Sequence, residues 1–220
     1  MLEKLINHED RLLDPMERIS EILFALIMVL TFTCSFSVAG AGREEVRTLL
    51  VGAIGCNLAW GFIDAVFYLM DCFSARGRAI LNLGALKSAT CPSDGHRIIC
   101  QALPPMLASV LSNSDLETIR ERLNRVRDTP TKPGLSGRDW LGAFAVFLVV
   151  VLSTLPVIAP FAFIHDARTA LRISNVVAIA MLLLVGYAFG QYAGHRPWRM
   201  AIAMVLLGAA MVGTTISLGG

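Results

Sequence analysis

Hydrophobic and polar positions along this chain fall into long blocks. Five apolar runs, roughly Ser20–Ala39, Val46–Met70, Trp140–Ile164, Ile173–Ala193 and Met200–Leu218, are separated by short polar connections and one large hydrophilic piece. A helix crossing a hydrocarbon core of about 30 Å needs about 20 mainly apolar residues. The expected fold is therefore all-α: a polytopic membrane protein with five transmembrane helices and a helical cytoplasmic insert between the second and third. Its expected organisation is an N-terminal tail at 1–19, two spans within 20–70, the insert at 71–139 and three spans within 140–220. The second run is long enough to tilt or to extend beyond the bilayer. No internal repeat is visible.

Composition agrees with this pattern. The chain is 55% hydrophobic and 16% charged, against about 45–50% and about 25% in soluble domains. Charge placement orients it, because Lys and Arg concentrate on the cytoplasmic side of membrane proteins. With five spans, the tail, the insert and the turn at 194–199 share one side and hold 15 of the 19 basic residues. Only Arg43, Arg47, Arg168 and Arg172 fall opposite. The expected location is the inner membrane of the cell, with the N-terminus cytoplasmic and the C-terminus outside. A net charge of +2 calls for no nucleic acid; the bilayer is the expected partner. The first apolar run is too long for a signal-peptide core, and acidic residues precede it, so no cleavage is expected.

The five cysteines are Cys34, Cys56, Cys72, Cys91 and Cys100. Two lie in spans and three in a reducing compartment, so disulfides are not expected. Cys91, His96 and Cys100 form a loose cluster lacking the tight pairs and fourth ligand of structural zinc sites. In the insert, Ser114 and Glu117 read as a capping box. The helix it opens carries Leu116, Ile119, Leu123 and Val126 as one apolar stripe. Pro104-Pro105 should break a second helix near His96–Leu111. The bases of 118–138 suit topology and contact with anionic lipid, and Glu117 and Glu121 suit salt bridges with neighbouring arginines.

Ionisable groups inside spans are rare and suggest function. Asp64 lies six residues before Met70, about 9 Å from that end of the second span. Asn57 is two turns deeper. Steps of seven keep Asn57, Asp64 and Asp71 on nearly one face. In the first span, Glu21 lies near the cytoplasmic end, with Met28 seven residues on. Antiparallel spans bring Glu21 and Asp64 to similar depth. Such a line of carboxylate, amide and thioether groups can take a divalent cation such as Fe²⁺ or Mn²⁺, and a carboxylate can exchange it for a proton. The metal-ligating candidates are thus Glu21, Asp64, Asn57 and Met28. Each also has an ordinary reading. Glu21 suits the positive end of a helix, Asp64 a neighbouring helix or an arginine, Asn57 interhelical hydrogen bonding and Met28 apolar filling.

Pro156 and Pro160 in the third span should break the helical ladder. Gly208, Ala209, Ala210 and Gly213 in the fifth permit close helix approach. No enzyme is expected, and no catalytic residue or resident cofactor. The histidines are His8, His96, His165 and His195, none well inside a span, and there is no glycine-rich phosphate loop.

The layout and several segments resemble the vacuolar iron transporter family. These segments are ILFALIMVL in the first span, AWGFIDAVFYLM in the second, STLPVIAPFAF in the third and AMVLLGAAMVGTTISLGG in the fifth. Arg18 and Ile19 stand where the family carries an Asp-Gly pair. Asn57 stands where it carries a glutamate four residues before the glycine, here Gly61. The resemblance implies a homodimeric transporter that exports Fe²⁺ or Mn²⁺ from the cytosol, with protons as counter-ion. The alternative is a non-transporting membrane scaffold or partner-binding protein that keeps the fold.

Overall fold

The computed structural model describes residues 15–39, 43–126 and 132–217. The described residues form helices and connections, with no strand among them. In chain order the helices are α1 Pro15–Ala39, α2 Arg43–Ser88, α3 Pro92–Ala102, α4 Pro105–Val110, α5 Asn113–Asn124, α6 Gly137–Phe163, α7 Ala167–Tyr192 and α8 Pro197–Ser217. The chain divides into two compact units, Met1–Tyr68 with Arg138–Gly220, and Leu69–Gly137, so the boundary falls inside α2. Three described stretches are long and apolar enough to cross a membrane: Leu50–Ser88, Gly137–Phe163 and Thr169–Tyr192. Ile19–Thr31 and Pro197–Met211 are shorter apolar stretches. The protein is a polytopic helical membrane protein.

Local chemistry sets the helix ends. Asp166 caps α7, its Oδ2 accepting from the Thr169 amide at 2.9 Å and the Thr169 hydroxyl at 2.5 Å. This cap starts the helix six residues before the apolar run and draws Arg168 and Arg172 into it. At the other end Gly194 has φ +66°, and the His195 amide donates back to the Gly190 carbonyl at 3.0 Å. That is the Schellman closure, which favours glycine because the left-handed region is costly for a side chain. Pro197 then opens α8, where a missing N–H is harmless.

In the first unit α1 packs on α7 and α8. Its core joins Leu26, Val29 and Leu30 to Val157, Ala178 and Leu182. The hairpin of α7 and α8 is close-packed. A Cβ on Gly186 would lie 2.9 Å from the Ala201 Cα, and one on Gly190 would lie 2.7 Å from the Pro197 Cα. Both obstacles are backbone, so nothing can swing aside. Lipid is as apolar as leucine, so van der Waals contact of this kind must hold such helices together.

The two prolines do not break the third apolar segment. Helix α6 runs through both Pro156 and Pro160. Pro160 is buried, and the buried Ser174 on α7 donates its hydroxyl to the Val157 carbonyl at 2.6 Å. A neighbouring hydroxyl thus serves the turn that leads into the second proline, and in a membrane such contacts let prolines persist within helices.

The second unit has its own small core of Leu86, Ile99 and Leu116, with Leu83, Leu103, Ile119 and Leu123 packed around it. The helix break falls at Leu103–Pro104, as the Pro-Pro pair predicts. The cap of α5 is Ser112, not Ser114. Its hydroxyl accepts from the Asp115 amide at 3.3 Å, and the Asp115 carboxylate takes the Ser112 amide at 3.0 Å. Both Ser112-x-x-Asp115 and Ser114-x-x-Glu117 fit a capping box. The earlier pair closes it because Glu117 is committed elsewhere. Its Oε2 lies 2.9 Å from His96 Nε2, and Arg120 grips both its oxygens from Nε at 3.0 and 3.1 Å. The Arg120 hydrogen bonds first, then that from His96, hold the Glu117 carboxyl down at about 2.

Candidate functional site

Two contacts pair α1 with α2. The Phe24 and Trp60 rings stack with centroids 4.6 Å apart and planes at 14°. One turn on, the Cys56 thiol lies 3.5 Å from the Met28 thioether sulfur. In each pair the later residue falls as the earlier rises, so the helices are antiparallel. Extending that register by one turn sets Glu21 opposite Ile63, beside Asp64. Glu21 and Asp64 therefore share one level, and Met28 lies about two turns deeper along α1. Glu21, Met28 and Asp64 are each partly buried.

An adjacent flank of α2, about 100° round, meets α6. Asn57 is 2% exposed. Its Nδ2 donates to Thr154 Oγ1 at 2.6 Å, with the Val150 carbonyl at 3.5 Å. The Thr154 hydroxyl in turn donates to the Val151 carbonyl at 2.9 Å. One turn along, a Cβ on Gly61 would stand 3.2 Å from the Phe147 ring and 3.3 Å from its carbonyl. Two turns further, a Cβ on Gly142 would collide with the Tyr68 ring and hydroxyl. Asn57, Gly61 and Tyr68 thus form a stripe against α6, also antiparallel, and the same register sets Asp64 level with Ala145.

At 100° per residue, Asp64 lies about 40° round α2 from Trp60, which faces α1, and about 60° from Gly61, which faces α6. Asp64 sits between the two contact faces, with its Oδ2 shielded from solvent. Asn57 Oδ1 is also buried, and has no hydrogen-bond partner among the described residues. An unmatched buried amide oxygen costs about 1–3 kcal/mol, so this acceptor is a place where a cation or water would be stabilised.

The four expected residues are therefore distributed rather than gathered at one point. Met28 meets Cys56, Asn57 is held by Thr154 on α6, and Asp64, about 20° round α2 from Asn57, lies level with Glu21. Among the described residues no group of three or more His, Cys, Asp or Glu is placed to hold a metal ion. Cys91 and Cys100 are free thiols, and His96 is engaged by Glu117.

Sequence reasoning missed three buried polar residues. Thr154 lies beside the prolines that drew attention in the third span, where a hydroxyl in an apolar run was the available signal. Ser174, the second residue of the fourth apolar run, is fully buried within α7. Asp139, 6% exposed, was read as the last residue of the insert, yet it lies in the first turn of α6. Its spacing to Val146, Val150, Thr154 and Val157, all on the buried face of α6, was the periodic clue.

Residues 101–220 match the profile of the VIT family. The chain is 34% identical over 67 residues to vacuolar iron transporter 1 of Eucalyptus grandis, covering 30% of this chain and 27% of that protein. It is 33% identical over 72 residues to vacuolar iron transporter 2 of Oryza sativa subsp. japonica, covering 33% and 29%. Vacuolar iron transporter 1 of the same rice is 33% identical over 67 residues, covering 30% and 27%. The alignments thus span less than a third of the length of these relatives. The family profile covers more than half of the 220 residues, in a chain whose described residues include helices long and apolar enough to cross a membrane. The chain belongs to the VIT family.

Proposed function

We propose that this protein carries a divalent transition-metal cation, Fe²⁺ or Mn²⁺, out of the cytosol in exchange for protons. Membership of the VIT family and the iron transporters among its relatives support metal transport. The observation that carries the site assignment is the antiparallel register of α1 and α2, which sets Glu21 and Asp64 at one level. In this reading those two carboxylates bind the cation or release it against a proton. Met28 supplies a soft thioether ligand deeper in the path, and the buried Asn57 Oδ1 an amide ligand. The expected setting is an inner membrane, with a cytoplasmic N-terminus, an external C-terminus and a homodimeric assembly. The iron or manganese is the cargo, with no resident cofactor and no catalytic step.

Uptake of Fe²⁺ and Mn²⁺ into inside-out vesicles, recorded with an internal pH dye, tests this. Wild type should accumulate metal and move protons oppositely, and Asp64→Ala and Glu21→Ala should each cut the rate at least tenfold. Absence of flux above empty vesicles would overturn transport and leave a membrane scaffold with this fold. Wild-type rates in both variants would overturn the carboxylate assignment alone.

A further inference from the structure

The second unit contains a cleft that the transport reading does not use. Its volume is about 560 Å³, and Arg76, Ile80 and Leu83 of α2 line it opposite Lys132, Leu135 and Ser136 of the segment leading to α6. That volume lies within the range of about 300–1,000 Å³ typical of small-molecule sites. Two cations and one hydroxyl in one cleft match an anionic group such as a phosphate. Arg76 is held in place: its Nη1 donates to the Gly134 carbonyl at 2.5 Å, tying the segment to α2. Gly77 sits against Pro133 on the same seam, with a distance of 3.9 Å from a Cβ on the glycine to the proline Cγ.

Position along the chain selects the class of anion. The apolar run of α2 ends at Met70, and Arg76 follows six residues later, about 9 Å along the helix. Headgroup layers add about 5–8 Å to each side of the hydrocarbon core, and an arginine side chain can reach back toward them along its apolar stem. On the other wall, Ser136 lies four residues before Trp140, where the next apolar run begins. Arg76 and Ser136 therefore lie on chain just emerging from the bilayer on its base-rich side, where anionic lipid is met. Ile80 and Leu83 lie about 6 and 10 Å further along α2 from the bilayer than Arg76, so the cleft meets the phosphate of a lipid and leaves its acyl chains in the membrane.

We propose that this cleft is a binding site for the phosphate headgroup of an anionic phospholipid, with Arg76 and Lys132 neutralising it and Ser136 donating a hydrogen bond. The proposal does not depend on transport. The test is native mass spectrometry of the delipidated full-length protein titrated with phosphatidylglycerol or phosphatidylcholine, with glycerol 3-phosphate as competitor. Wild type should bind phosphatidylglycerol at least tenfold more tightly than phosphatidylcholine. The double variant Arg76→Gln/Lys132→Gln should lose that preference, while the charge-preserving Arg76→Lys/Lys132→Arg keeps most of it. Arg122→Gln/Arg125→Gln removes equal charge from α5 and its C-cap, outside the cleft, and should bind like wild type. Equal binding of the two lipids, equal losses in the two glutamine pairs, or displacement of the lipid by glycerol 3-phosphate at comparable concentration would each overturn the proposal. Should the cleft variant fail to fold, phosphatidylglycerol protection of amides at 76–83 and 132–136 from hydrogen exchange in wild type decides instead. Protection supports the site and its absence overturns it.

Discussion

In the insert, Leu86, Ile99 and Leu116 meet as an apolar core, with the hydrogen-bonded group of His96, Glu117 and Arg120 at its edge. Where α2 meets α6 the materials are reversed. Polar Asn57 and Thr154 lie at the centre, glycines set the approach, and large apolar side chains such as Phe62, Phe67 and Phe144 are exposed. Water around the insert drives apolar groups together, so charge is left for its rim. Among lipid tails burial of apolar surface decides nothing, and helices choose partners through hydrogen bonds and close contact. The contrast explains why one chain carries two kinds of interior.

The largest test of that contrast is Leu116→Ala. A buried leucine truncated in a water-exposed domain costs about 2–5 kcal/mol. Hydrogen exchange should show the insert losing protection in α3 and α5 while the amides of α7 and α8 keep theirs. Spread of the loss into α7 would break the view that the two interiors stand separately. Next in size is Gly190→Ala, whose added methyl meets the Pro197 Cα and forces two backbones apart. Overpacking of this kind costs about 1–3 kcal/mol. Thermal unfolding in detergent should register it, whereas Gly84→Ala, with open space at its Cβ, should leave the midpoint unchanged or raise it.

A smaller effect is expected for the hydrogen bond between Asn57 and Thr154. A double-mutant cycle with Asn57→Ala and Thr154→Val should give a coupling of about 0.5–2 kcal/mol, the range for interhelical bonds in membranes. Additive losses would mean that the pair contributes shape rather than a bond. The mildest test concerns Glu117. Its folded pKa, about 2, lies below its ordinary 4.5. Its contribution is therefore complete above about pH 4.5 and disappears as pH falls toward 2. The group is solvent-accessible, so screening keeps the effect modest. Protection of α3 and α5 amides in wild type should decline across that window, and Glu117→Gln should remove the pH dependence.

Much of the architecture was legible because spans are written as long apolar runs and the insert as a charged interval. The break at Pro104-Pro105 and the level of Glu21 with Asp64 could also be foreseen, the first from proline chemistry and the second from antiparallel order. Helix ends were less legible. Asp166 lengthens α7 and Ser112 displaces Ser114, because a cap depends on which side chain is free to turn back on the helix. The candidate site was legible in residue type but not in direction. Nothing in one helix says that Asn57 would turn to Thr154 on α6 while Cys56, its neighbour, turns to Met28 on α1.

By itself the sequence determined that the chain crosses a membrane, which segments are helical, and that rare polar groups lie along the first two spans. These follow from transfer free energy and helical periodicity, which act locally. Only the tertiary structure decided which flank of α2 meets which neighbour, that the proline helix stays whole against Ser174, and that Asp139 is buried. Those outcomes depend on contacts between residues 17 to 97 positions apart, where one turn of register changes every partner. In this protein Asp64 shows the difference: its depth follows from helical rise, but its place between two helix contacts exists only once three helices have packed.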